Sequence, residues 1–285
     1  MTNKNLISLH GGHSGQFCSH AKDDLEDILL RYMDLGFTRV GITEHVPPSR
    51  EDFLYPDERN LGLTVADLEK RFEAYFQTIR GLQKKYASRI RIFAGMETET
   101  YTGYGTHIKN LIRRFKPDYL VGSVHHVDDV CFDYCKEDYD RMVSLCGSHE
   151  ALYQRYFDLQ QDMILTLKPF VVGHFDLIRI FDPDYEKRLA VPTVREKILR
   201  NLKLIKSLGL VMDFNLRPLK RGEKEPYLTA SIRRTAREMG IPLVPGDDSH
   251  GVTEAGGHVE KAVAILTAEG FGTDWPDPVL ITGYE

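Results

Sequence analysis

Ser8-Leu9-His10-Gly11-Gly12-His13-Ser14-Gly15-Gln16-Phe17-Cys18-Ser19-His20 carries three histidines within eleven residues, directly behind the apolar run Leu6 to Leu9. An apolar run that ends in His and Gly reads as a strand delivering imidazoles into the loop at its C-terminal end, where glycines let the backbone fold closely around a ligand. The histidines are interleaved with a specific Gly, Ser, Phe and Cys pattern, unlike an expression tag. The stretch is therefore a candidate metal site, and its weight depends on whether later segments repeat the pattern.

They do. Residues 22–35 have Leu25, Ile28, Leu29, Tyr32 and Met33 on one helical face with Gly36 after it, and the strand Thr38-Arg39-Val40-Gly41-Ile42-Thr43 follows, ending in Glu44-His45. A long amphipathic helix at 65–86 precedes a strand at 90–94 that runs into Gly95-Met96-Glu97-Thr98-Glu99. Helix 108–115 leads to strand 119–124 and His125-His126; helix 150–167 leads to strand 170–173 and His174. Helix 193–208 leads to strand 210–214 with Asn215 and Arg217 beyond it. Helix 228–239 leads to strand 241–245 and Gly246-Asp247-Asp248-Ser249-His250, and a last helix covers 255–268.

Seven strands alternating with helices imply an α/β fold with a mainly parallel sheet and helices outside. Each strand carries His, Glu, Asp or Asn at its C-terminal end, and in a parallel barrel those ends converge on one face. An open doubly wound sheet would spread them along a line. A TIM-like seven-stranded barrel is expected, with 1–285 forming a single domain.

Composition narrows the function. Lys plus Arg number 37 against 42 for Asp plus Glu, a net charge of −5 that leaves no basic footprint for nucleic acid. No segment approaches the roughly eighteen apolar residues of a membrane span, and the first residues lack the apolar core of a secretory leader, so a cytoplasmic location is expected. The four cysteines are expected as free thiols; Cys131 and Cys135 have finger-like spacing but no matching second pair. There is no Gly-x-Gly-x-x-Gly after a strand and no Walker-type loop.

A lone histidine at a strand end is more often a packing or hydrogen-bonding residue than a ligand. That reading is hard to sustain for His45, His125, His174 and His250 together, whereas His107, His126, His149 and His258 are expected at the surface or behind the ligands. Histidines and carboxylates gathered from separate strand ends suit a polynuclear site for Zn, Fe or Mn.

At this point the motifs become specific. The His-rich stretch, Thr43-Glu44-His45, Gly95-x-Glu97, Ser123-Val124-His125, Gly173-His174 and Gly246-x-Asp248-x-His250, in that order, resemble the PHP (polymerase and histidinol phosphatase) family. Phe17-Cys18-x-His20 and Asp213-Phe214-Asn215 sharpen the likeness towards its stand-alone histidinol-phosphate phosphatases. The resemblance implies a distorted (β/α)7 barrel with a trinuclear divalent metal site. His10, His13, Glu97 and Asp248 would take the first metal; Glu97, His125 and His174 the second; His20, His45 and His250 the third. Glu97, Asp248 and His250 would also be catalytic. The family normally has His-x-His after its first strand, whereas this chain has His10-Gly11-Gly12-His13, so the glycines are expected to fold the extra residue into a bulge.

The reaction implied is hydrolysis of a small phosphate monoester, L-histidinol phosphate first, as in histidine biosynthesis. Arg179, Arg217 and Asn215 are expected to hold the substrate, because Arg suits bidentate phosphate contact. Glu44 or Asp247 is expected near a cationic amine. A nuclease or phosphodiesterase on the same barrel, an amidohydrolase-like hydrolase, and a catalytically inert metal-binding module are the rival readings; the acidic balance disfavours the first and the abundance of ligands the last.

Overall fold

A computed structural model describes residues 6–281; most of the N-terminal stretch read for a leader lies outside them. The strands are β1 (Ile7–Ser8), β2 (Arg39–Ile42), β3 (Arg91–Glu97), β4 (Tyr119–Gly122), β5 (His126–Val127), β6 (Val130–Cys131), β7 (Val171–Val172), β8 (Val211–Asn215) and β9 (Leu243–Gly246). Seven of them form one parallel sheet in the order β1-β2-β3-β4-β7-β8-β9, and β5 and β6 form a separate antiparallel hairpin. The two edges of the sheet meet: Leu9 N–H donates to Pro245 O (3.1 Å) and Asp248 N–H to His10 O (2.9 Å). The result is a nearly closed seven-stranded barrel, as the alternation implies.

The strands are apolar runs because both their faces are covered. Inside, the Tyr119 ring lies across the barrel and its hydroxyl donates to Leu9 O (2.7 Å). A Cβ on Gly41 would fall 1.8 Å from that hydroxyl, so β2 needs glycine there for space, not for an unusual backbone angle. Outside, the helix Val65–Lys85 buries Leu68, Phe72, Tyr75, Phe76, Ile79 and Leu82 along one stripe and starts from a Thr64–Asp67 capping box, worth about 1 kcal/mol. Tyr75 reaches in to donate to Ile42 O and Gly95 O, fastening that helix to β2 and β3.

The elements depart from the sequence reading between β4 and the helix His149–Leu167. The β5–β6 hairpin turns on Asp128 and Asp129, both at positive φ, and the helix Lys136–Cys146 follows it. Two strands of two residues each give no periodic signal, so this excursion was illegible. The helix expected at 228–239 spans Ala230–Glu238, because Leu228 adopts φ +75° while Asp176 accepts from the Leu228 and Thr229 N–H groups.

Candidate metal centre

Glu97, the last residue of β3, sits at the centre of the ring of strand ends. Its two carboxylate oxygens face different imidazoles. Oε1 lies 3.1 Å from His174 Nε2 and 3.3 Å from His125 Nε2, and accepts from Ser123 Oγ at 2.6 Å. Oε2 lies 3.2 Å from His10 Nε2, 3.5 Å from His13 Nε2 and 3.4 Å from His45 Nδ1. This is the disposition of a carboxylate that bridges two cations. Asp248 joins the Oε2 set, with Oδ1 3.5 Å from His13 Nε2, and also forms a donor group with His10 and His174.

Other polar residues aim these rings. Asp213 Oδ2 accepts from His10 Nδ1 at 2.8 Å, which fixes the ring's orientation and directs Nε2 towards Glu97. Glu99 does the same for His125 through Nδ1 (2.9 Å) and lies 3.4 Å from His45 and 3.2 Å from His126. Asn215 donates to both Asp213 and Asp248, tying the end of β8 to that of β9. His125 and His174 point Nε2 at each other across 3.2 Å, so at least one of the two nitrogens must be free of a proton, a demand that an N–H···N bond or a shared cation meets.

Electrostatics agree with that demand. Burial would raise the Glu97 carboxyl, yet the charges of His10 and His45 outweigh it and hold the group well below the usual carboxylate range. Asp248 is held low in the same way, burial being outweighed by Arg217 and His10. Burial would lower His13, but the nearby carboxylates of Asp248 (3.5 Å) and Glu44 (3.7 Å) bring it up to about 9. Burial and the neighbouring His13 charge drive His250 well below its ordinary value. His10 Nε2, both ring nitrogens of His13 and His45 Nδ1 are buried without a hydrogen-bond partner. Each such orphan costs about 1–3 kcal/mol, so their concentration here fits residues built to hold divalent cations. Imidazole and carboxylate donors suit Zn, Fe or Mn.

The donors open into a cavity of about 210 Å³ lined by His20, Tyr55, Asp133, Tyr134, Leu177, Arg217, Arg221 and Tyr227 as well as by Glu97, His125, His174, Asp248 and His250. Arg217 donates to Asp248 O (2.7 Å) and touches His250 Nδ1. One wall is thus cationic.

Comparison with known proteins identifies the family and the fold that carry this arrangement. The PHP domain pattern matches residues 9–217, most of the chain. The chain belongs to the PHP domain family. Among its PHP relatives, a Schizosaccharomyces pombe protein named "Probable histidinol-phosphatase" is 37% identical over 91% of this chain and 85% of its own length. The Saccharomyces cerevisiae histidinol-phosphatase is 28% identical over 87% and 84%. The crystal structure of the Lactococcus lactis histidinol phosphate phosphatase, complexed with zinc, L-histidinol and phosphate, superposes with a TM-score of 0.73 at 19% identity, covering 94% of this chain and 95% of that one.

Within this PHP barrel the expected residues fall into place unevenly. His10, His13 and Glu97 come together as one donor group, and Glu97, His125 and His174 as another. His45 and His250 form a third group with His13, but the donor that joins them is Cys18; His20 lies at the rim, 34% exposed, with Nε2 3.3 Å from Cys18 Sγ. The extra glycine does accommodate His10, although not through an unusual φ: Gly11 lies so near β2 that a Cβ would meet Gly41 O at 2.0 Å.

Arg179 is placed away from the cavity. Its buried guanidinium donates to Glu223 and to the carbonyls of Glu225 and Pro226, and it packs over Tyr185 and Tyr227. Asn215 is fully buried behind the donors and supports Asp213, Asp248 and the Arg217 N–H. Glu44 and Asp247 also face away from the cavity: Glu44 accepts from Ser14, and Asp247 from Ser8, Tyr32 and the Gly256 N–H. The residues the sequence reading left without a role are Glu99, Asp133, Tyr134 and Arg221. Glu99 had a signal, since it follows Glu97 at strand parity; the others lie on loops whose course no local pattern predicts.

Proposed function

We propose that this chain is a metal-dependent phosphomonoesterase whose substrate is L-histidinol phosphate, with residues 1–285 acting as one domain. The carrying observation is the divided allegiance of Glu97, whose oxygens address two separate sets of buried, under-coordinated imidazoles. The named activity of the relatives and the fold shared with a phosphatase complexed with zinc, histidinol and phosphate support the same reading.

Three divalent ions would be held by His10, His13, Glu97 and Asp248, by Glu97, His125 and His174, and by His45 and His250 with Cys18 or His20. Such ions would supply Lewis acidity towards phosphoryl oxygens and lower the pKa of water. The protein's own contribution is positional. Asp213 and Glu99 keep His10 and His125 in the orientation that turns Nε2 to the cavity. Arg217, locked against Asp248 O and His250, and Arg221 present guanidinium N–H groups to the phosphoryl oxygens. Leu177, Ile180 and Tyr227 give the wall an apolar part that limits water around the reacting phosphate. Among the described residues no helix is long and apolar enough to cross a membrane. We place the enzyme in the cytoplasm, acting on a small soluble substrate and not on nucleic acid.

Assaying the metal-loaded chain on L-histidinol phosphate, a phosphodiester and single-stranded DNA tests this reading. Hydrolysis confined to the monoester is the expected result. Turnover of the diester or the DNA in preference to it would transfer the site to the nuclease reading.

A further inference from the structure

The cavity sorts its charge by segment. Arg217 and Arg221 enter from the chain after β8, whereas Asp133 and Tyr134 enter from the loop after the β5–β6 hairpin. The field of Arg217 acts on Asp248 and His250. That of Asp133 acts on His125 and on the phenol of Tyr55, while Tyr227, where Arg221 acts more strongly than Asp133, lies between the two sides. One side of the cavity is therefore cationic and the other carries an anion.

Asp133 is the carboxylate that lines the cavity on this side, and the other one nearby, Glu99, lies behind it with no capacity to spare. Glu99 is engaged with His45, His125 and His126 and with the Tyr55 hydroxyl. Asp133 takes a weak thiol donor from Cys131 (3.2 Å), and among the described residues no Lys, Arg or His lies within ion-pair distance of it. Next to it Tyr134 is 44% exposed, a large aromatic ring held at the cavity without a covering layer.

We propose that Asp133 is the specificity-determining residue for the alcohol half of the substrate, binding a cationic amine there while Tyr134 covers the attached ring. This rests on the phosphomonoesterase reading above. A phosphate drawn to the Arg217 and Arg221 side leaves its alcohol substituent to be read by the Asp133 side. An ammonium gains a charge-assisted hydrogen bond, a neutral substituent gains nothing, and an anionic substituent is repelled.

The test uses the metal-loaded full chain with L-histidinol phosphate and with p-nitrophenyl phosphate, which has no amine. Asp133→Asn keeps the shape and an acceptor for Cys131 but removes the charge. It is expected to raise KM for histidinol phosphate about 10- to 100-fold with kcat within about threefold, and to lower kcat/KM for the aryl phosphate by less than about threefold. Asp133→Glu should recover part of the lost selectivity. A parallel loss on both substrates would show that Asp133 only supports the fold, and an unchanged ratio would show that it does not read the amine; either result overturns the assignment. A wild-type chain inactive on both phosphomonoesters would overturn this inference and the phosphatase reading together, whereas an active wild type with an indifferent Asp133→Asn would overturn this inference alone.

Discussion

Gly11→Ala is the substitution that most sharply separates a glycine kept for space from one kept by chance. The added Cβ would sit 2.0 Å from the Gly41 carbonyl oxygen, against an ordinary contact beginning at 3.4 Å, so about 1.4 Å must be found. The obstacle is backbone of β2, itself pinned because Gly41 has no room beside Tyr119. β1 must therefore move, and His10 moves with it, away from the 2.8 Å contact with Asp213 and the 3.2 Å approach to Glu97. Overpacking of this kind costs about 1–3 kcal/mol, and a backbone obstacle puts it at the top of that range. At about 2–4 °C per kcal/mol, the metal-free protein should lose roughly 6–12 °C in Tm. Gly12→Ala is the milder comparison, since its Cβ would meet only side-chain atoms, Ile28 Cγ2 at 2.9 Å and Ser249 Oγ at 3.2 Å, and no backbone. Thermal denaturation of both stripped variants, followed by metal analysis and histidinol phosphate turnover after reloading, reads the effect. The reasoning is refuted if Gly11→Ala melts with wild type and takes up a full complement of metal.

Three further outcomes follow from the same geometry. His10→Ala should lose metal and cut turnover about 100-fold or more while the barrel stays folded by circular dichroism; full metal content with near-normal kcat would remove His10 from the site. Arg217→Met should raise KM for histidinol phosphate about 10- to 100-fold, as loss of a charge-assisted contact does, whereas Arg179→Met should leave KM alone and cost about 3 kcal/mol of stability; a KM effect at Arg179 would contradict its placement against Glu223 and Tyr227. Burial raises the Glu58 carboxyl to about 7, so its neutral form belongs to the folded state. That contribution is complete below the ordinary carboxylate pKa of about 4.3 and is lost as pH rises through 7. Glu58→Gln should therefore raise Tm relative to wild type at pH 8 and leave it unchanged at pH 4, and the opposite trend would count against the burial argument.

The barrel was legible because its strands are apolar runs closed by polar ligands, a pattern that needs no long-range information. Most of the candidate donors were legible for a related reason, each lying within a few residues of the C-terminal end of a strand. What failed depended on direction. Glu44 stands immediately before His45, and in extended chain adjacent side chains point to opposite sides; Asp247 stands before Asp248, whose backbone is left-handed (φ +44°), and is turned to Ser8, Tyr32 and Gly256 instead. Arg179 follows His174 closely, but a turn of 3₁₀ helix at Leu177–Arg179 sends its guanidinium to the 223–226 segment. Cys18 was expected as a free thiol within the motif Phe17-Cys18-x-His20, and its approach to His13, His45 and His250 was not legible because it depends on how the loop after β1 folds back. Asp133 and Tyr134 were out of reach altogether, since they follow a hairpin whose strands are too short to read.

The central claim, that these converging imidazoles and carboxylates serve a metal-dependent monoesterase, is tested most directly by titrating metal back into the stripped protein. Zn, Mn or Fe would be added stepwise while bound metal and L-histidinol phosphate hydrolysis are measured on the same samples. The account predicts background hydrolysis at zero metal and activity that rises with occupancy and saturates when the donor groups around Glu97 are filled. Full hydrolysis by metal-free protein, or full occupancy without hydrolysis of histidinol phosphate, would contradict it.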